Sequence, residues 1–76
     1  MTLKQVRSKD LLRALLKEEF TIKRKKGSHI LLERKSQNET RTTSVAIHPG
    51  TIPQGTLKAI LKQTGLSEDE LKKLLR

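Results

Sequence analysis

The chain predicts a small α+β domain. A helix comes first, then three strands as one three-stranded antiparallel sheet, then a helix, with the helices on one face and a short C-terminal helix after them. Three observations predict it. Leu11, Leu12, Leu15 and Leu16 recur at helical spacing near the start. Positions 20–47 are rich in alternating and β-branched residues, with connections too short for parallel crossovers. Leu57, Ile60 and Leu61 then restore the helical period.

Each element has its own signals. Ser8 reads as an N-cap and Asp10 favours the first turn through the helix dipole, so the first helix is expected over about residues 9–18. Phe20-Thr21-Ile22-Lys23-Arg24 alternates apolar and polar, as a half-buried strand does. Lys26-Gly27-Ser28 is a turn, with glycine for positive φ. His29 to Arg34 forms the second strand, Ser36 to Thr40 a polar loop, and Thr42 to Ile47 the third strand. The second helix starts between Pro53 and Gly55 and stops at Gly65, with Leu66 closing back on the last turn. Ser67-Glu68-Asp69-Glu70 is a capping box for the third helix, which carries Leu71, Leu74 and Leu75. If that helix packs only partly, its leucines become a docking stripe.

Seventy-six residues fit one domain, 1–76, near the lower size limit for folding without staples. No cysteine is present, so neither disulfides nor a thiolate zinc site can contribute. No run approaches the roughly 20 apolar residues of a membrane span. A soluble, cytoplasmic protein without membrane attachment is the expectation.

Charge narrows the partners. Net charge is +9, and residues 1–44 hold 12 Lys and Arg against 5 Asp and Glu. A one-sided basic field attracts nucleic acid by counterion release, whatever the base sequence. Phe20 is the single aromatic residue, so base stacking on an aromatic platform is excluded. Reading of phosphates and helix shape remains open.

The candidate site centres on Lys26-Gly27-Ser28-His29, which follows the basic run Lys23-Arg24-Lys25-Lys26. Histidine changes protonation near neutral pH, and here it stands beside groups that hold a polyanion. RNA cleavage without a metal needs a base for the 2′-OH, positive charge at the phosphate and often an acid for the leaving oxygen. His29 can supply base or acid. Lys23, Arg24, Lys25 and Lys26 can hold the phosphate, Gly27 and Ser28 can add backbone amides, and Lys58 and Lys62 extend the surface. From the residues alone, a surface histidine in a basic patch is as good a reading as a catalytic one.

Ser8 with Leu11-Leu12, Lys26-Gly27-Ser28-His29, and the segment from Gly55 to Leu66 (GTLKAILKQTGL) together resemble the HicA toxin (YcfA-like) family, over about residues 8–70. The resemblance implies a double-stranded-RNA-binding-like αβββα fold and a metal-independent mRNA-cleaving ribonuclease, an mRNA interferase of a toxin–antitoxin system. It implies His29 as the catalytic residue, no cofactor, and a HicB-like antitoxin covering the active site. Oligomers are expected only through the antitoxin or by weak self-association. Three positions depart from the family pattern: Ile30 where a second histidine is frequent, Glu19 where glycine is common, and Ala46 where proline is frequent.

His48, before Pro49, could approach His29 if the second and third strands pair, and is an auxiliary candidate. A loop histidine capping the next turn is the more ordinary reading. A metal site from His29, His48 and Glu33 lacks clustered carboxylates and is not expected. The serines have no paired base and acidic orienter, and the scattered glycines form no phosphate loop. The alternative function is a non-catalytic RNA-binding module, which requires the basic face but nothing of His29.

Overall fold

In the computed structural model, which describes residues 5–75, the chain runs through α1 (Ser8–Lys17), β1 (Thr21–Lys26), β2 (His29–Lys35), β3 (Thr40–Ala46), α2 (Gln54–Thr64) and α3 (Glu68–Leu74). The strands form one antiparallel sheet in the order β1-β2-β3. This is the expected αβββα order with the short C-terminal helix added.

Strand alternation decides which face carries the helices. In β2, Ile30 and Leu32 are buried while His29 and Leu31 are exposed; in β3, Thr43 and Val45 are buried while Thr42 and Ser44 are exposed. The buried row packs with Leu11, Ala14 and Leu15 of α1 and Leu57, Ile60 and Leu61 of α2 in one core. Each fully buried leucine contributes about 1.5–3 kcal/mol relative to exposure. Leu71 of α3 is fully buried, and Leu74 and Leu75 pack against the same core, so their stripe is mostly used up internally.

Several expectations need correction. Ser8 is the first helical residue and not the N-cap; Arg7 holds that position, without a side-chain cap bond. Ser8 is instead 1% exposed and bonds elsewhere, as shown below. Leu16 leaves the apolar face of α1 and is 43% exposed. β1 is not half-buried: all six residues are exposed, including Ile22 at 48%. β1 is an edge strand that no helix covers, and a bulge between Ile22 and Arg24 further breaks its alternation. Phe20 lies just before β1 and is buried, with the Arg34 guanidinium 4.9 Å from its ring centre.

Both long helices end alike. At α2, Gly65 takes φ 77° and the Leu66 amide donates to the Leu61 carbonyl at 3.2 Å, as anticipated. At α1 the same ending occurs without glycine. Glu19 takes φ 70°, its amide reaches Leu16 O at 3.2 Å, and the Phe20 amide reaches Leu15 O at 3.0 Å. That is a Schellman motif with glutamate in the left-handed position. The α3 capping box is complete: Ser67 Oγ accepts from the Glu70 amide at 3.1 Å, and Glu70 Oε1 accepts from the Ser67 amide at 2.9 Å.

Candidate active site

The β1–β2 hairpin places the first histidine. Gly27 and Ser28 form a two-residue turn, with Gly27 at φ 60°, a pattern that matches strand twist when glycine comes first. Lys26 and His29 are therefore cross-strand partners, and on its other side His29 pairs with Ala46 of β3. The Ile47 amide donates to Ser28 O at 2.7 Å, which extends the pairing just past β3 and leads the chain to His48.

His29 and His48 line one cavity of about 380 Å³. Ser44 and Ala46 of β3 and Thr56 at the start of α2 share it, with Ile52 and Pro53 closing one wall. Ile52 is itself fixed, since its amide donates to Val6 O at 2.8 Å. Ala46, a small residue, is the cross-strand partner of His29 and lines the cavity with it. Ile30, next to His29 in β2, is buried in the core and does not line the cavity.

Two contacts hold His48. Ser8 Oγ donates to its carbonyl at 3.1 Å and accepts from its amide at 3.2 Å. In addition His48 Nδ1 is 2.8 Å from Pro49 O. A carbonyl oxygen can only accept, so Nδ1 carries the hydrogen and the neutral ring keeps its lone pair on Nε2. A ring so fixed can accept a proton at Nε2 and, once charged, donate it. Ser8 was legible only as a helix start; no local pattern predicts a bond to a residue forty positions away.

The basic run is divided by the sheet. Cross-strand partners share a face, so Arg24 opposite Leu31 and Lys26 opposite His29 lie on the open face. Lys25 pairs with buried Ile30 and sits on the helix side. Lys23, in the bulge, reaches Glu33 Oε1 at 3.6 Å, where Lys35 also approaches at 4.0 Å. Among the described residues, Arg24 and Lys26 meet no carboxylate, and both lie on the face of His29. Gly27 and Ser28 sit at the exposed hairpin tip. Lys58 and Lys62 lie on the solvent face of α2 and do not line the cavity. Among the described residues no cluster of three His, Cys, Asp or Glu side chains stands close enough to hold a metal ion, and no helix is long and apolar enough to cross a membrane.

Fold and site together define a small basic α+β domain, αβββα with an added helix, whose two histidines share a cavity beside a basic hairpin. The family model described as HicA toxin of bacterial toxin-antitoxin matches residues 8–66. The chain belongs to the HicA toxin family, and its context is that of a toxin–antitoxin system. No curated relative matches the chain at a significant level.

Proposed function

We propose that this toxin acts as a metal-independent endoribonuclease on mRNA, with His29 as its catalytic residue and a HicB-like antitoxin as its inhibitor. The observation that carries this reading is the shared cavity: His29 and His48 line it together, and Arg24 and Lys26, on the strand face of His29, meet no carboxylate among the described residues.

The chemistry needs two proton transfers. One imidazole takes the proton of a ribose 2′-OH as that oxygen attacks the adjacent phosphorus. The bond to the 5′ oxygen breaks, and the second imidazole protonates that oxygen as it leaves. The products are a 2′,3′-cyclic phosphate and a 5′-hydroxyl, with the proton balance closed between the two rings. Acid–base catalysis of this kind contributes about 10²–10⁴-fold. Arg24 and Lys26 offset the charge that builds on the phosphate. The remaining cations, Lys23, Lys25, Lys58 and Lys62, add to the field that draws in the RNA, while Gly27 and Ser28 offer backbone amides at the hairpin tip.

The test is incubation of the purified protein with RNA in EDTA, beside His29→Ala and a DNA of the same sequence. Cleavage of RNA alone, by wild type alone, with cyclic phosphate ends, is the expected result. Binding without cleavage by either protein would instead identify a non-catalytic RNA-binding module.

A further inference from the structure

A second concave surface lies on the helix side of the hairpin, between α1 and the β1–β2 turn, with a volume of about 480 Å³. Its floor is apolar: Leu12 and Leu16 come from α1, and Ile30 and Ile47 from the sheet side. Leu16 is 43% exposed here, and Ile22, opposite Leu32 in register and so on the same side of the sheet, is 48% exposed. Exposed aliphatic side chains gathered on a small protein mark an interaction surface more than chance does. The rim has one sign of charge. Lys9, Arg13 and Lys25 line it, no carboxylate does, and none of the three pairs with a carboxylate among the described residues.

We infer that this groove docks a short acidic segment of the antitoxin, one that presents aliphatic side chains to the floor and carboxylates to the rim. RNA fits the rim but not the floor, because phosphates and riboses leave Leu12, Leu16 and Ile47 uncovered. A second copy of this chain, itself at net charge +9, would bring more positive charge to a cationic rim. An acidic amphipathic segment satisfies both parts of the surface: apolar burial supplies affinity and charge complementarity supplies orientation and rate. Gly27 and Ser28 line the same groove and directly precede His29, so a segment seated there lies against the catalytic hairpin from its rear. Inhibition then involves an anchor behind the hairpin as well as cover over the histidines.

The inference rests on the toxin–antitoxin context and is independent of the cleavage chemistry. The experiment measures affinity for the purified cognate antitoxin in a His29→Ala background, so nuclease activity does not enter. Leu16→Glu and Lys25→Glu should each weaken binding by about tenfold or more, the first by removing a central apolar anchor and the second by setting a carboxylate against the carboxylates of the segment. Lys73→Glu, an equal charge change on exposed α3, should leave it within about twofold. Circular dichroism and Tm check that Leu16→Glu, at an exposed position, remains folded. Unchanged antitoxin affinity in both groove variants would overturn the inference. So would a Leu16→Glu protein whose RNA affinity falls as far as its antitoxin affinity, which would make the groove part of the RNA surface. A Leu16→Glu variant that loses self-association but keeps the antitoxin would assign the groove to a second copy.

Discussion

Ser8 and His48, forty residues apart, are joined by two hydrogen bonds through one oxygen: Ser8 Oγ donates to the His48 carbonyl at 3.1 Å and accepts its amide at 3.2 Å. The first turn of α1 thus fixes the backbone of a loop that leaves the sheet. Since His48 Nδ1 is also committed to Pro49 O, little freedom remains for the ring in the cavity it shares with His29. Ser8 makes no contact with substrate in this scheme and serves as a positioning residue.

Removing that oxygen should therefore affect chemistry and stability together. Ser8→Ala leaves a backbone amide and a carbonyl of His48 without their partner, at a cost of about 1–2 kcal/mol in unfolding free energy. Its cleavage rate should fall while RNA affinity stays near wild type. Ser8→Thr retains the hydroxyl and should restore part of the rate. A rate equal to wild type in Ser8→Ala, measured where the protein is fully folded, would remove Ser8 from the mechanism.

The two imidazoles should be separable by kinetics. His29→Ala is expected to lower cleavage by about 10³-fold and His48→Ala by about 10²-fold, with binding retained in both. If each ring handles one proton, the double variant should lose much less than the product of the two single losses, as residues acting as a unit do. Full activity in His48→Ala would return that residue to the simpler role of loop capping.

Basic residues that look alike in the sequence should differ in effect. Arg24→Gln with Lys26→Gln should weaken RNA binding and reduce the slope of log affinity against log salt by about 0.7 per lost contact on single-stranded RNA. Lys23→Gln should do less, because Lys23 already lies 3.6 Å from Glu33. Equal effects from all three positions would mean that the hairpin acts as a diffuse charge and not as a defined face.

Much of this was legible in the sequence for physical reasons. The leucine spacing of α2, Gly65 at its end and the Ser67–Glu70 box are local signals, and local bonds realise them. The position of His29 after Gly27 is equally local, since a two-residue turn fixes it. What could not be read depends on distant partners. Ser8 looks like an N-cap until its bond to His48 is known. Ile22 alternates like a core residue, yet no helix lies over β1. The run from Lys23 to Lys26 reads as one patch, although strand alternation and the bulge send its members to different surroundings.

Glu19 offers a direct stability test. It occupies the left-handed C′ position of α1 at φ 70°, a conformation that costs a non-glycine residue about 1–2 kcal/mol. Glycine is common at this place in the family, and Glu19→Gly should stabilise the fold by about 1 kcal/mol after the greater entropy loss of glycine is counted. A rise in Tm of about 4–8 °C would follow for a domain of this size. The converse change, Gly65→Ala, forces a Cβ into φ 77° and within 2.9 Å of the Arg41 guanidinium carbon, so Tm should fall. A lower Tm for Glu19→Gly would mean that the glutamate side chain contributes more than its backbone conformation costs.

The α3 capping box should give stability a dependence on pH in the acid range. Hydrogen bonds from the Ser67 amide and hydroxyl region, aided by Lys73 and Arg34, hold the Glu70 carboxyl below its ordinary value of 4.5. Folding therefore favours the ionised form, and the unfolded chain binds more protons wherever the two states differ. The contribution is fully present above the ordinary value and disappears as pH falls through the lowered one. Glu70→Gln keeps a side-chain acceptor but cannot ionise, so its Tm should lie below wild type at pH 7 and converge on it as the pH falls below the ordinary carboxylate range. Ser67→Ala, which removes the other half of the box, should cost about 1 kcal/mol at pH 7. A gap between wild type and Glu70→Gln that stays constant across this range would show that the bond geometry, and not the charge of Glu70, stabilises α3.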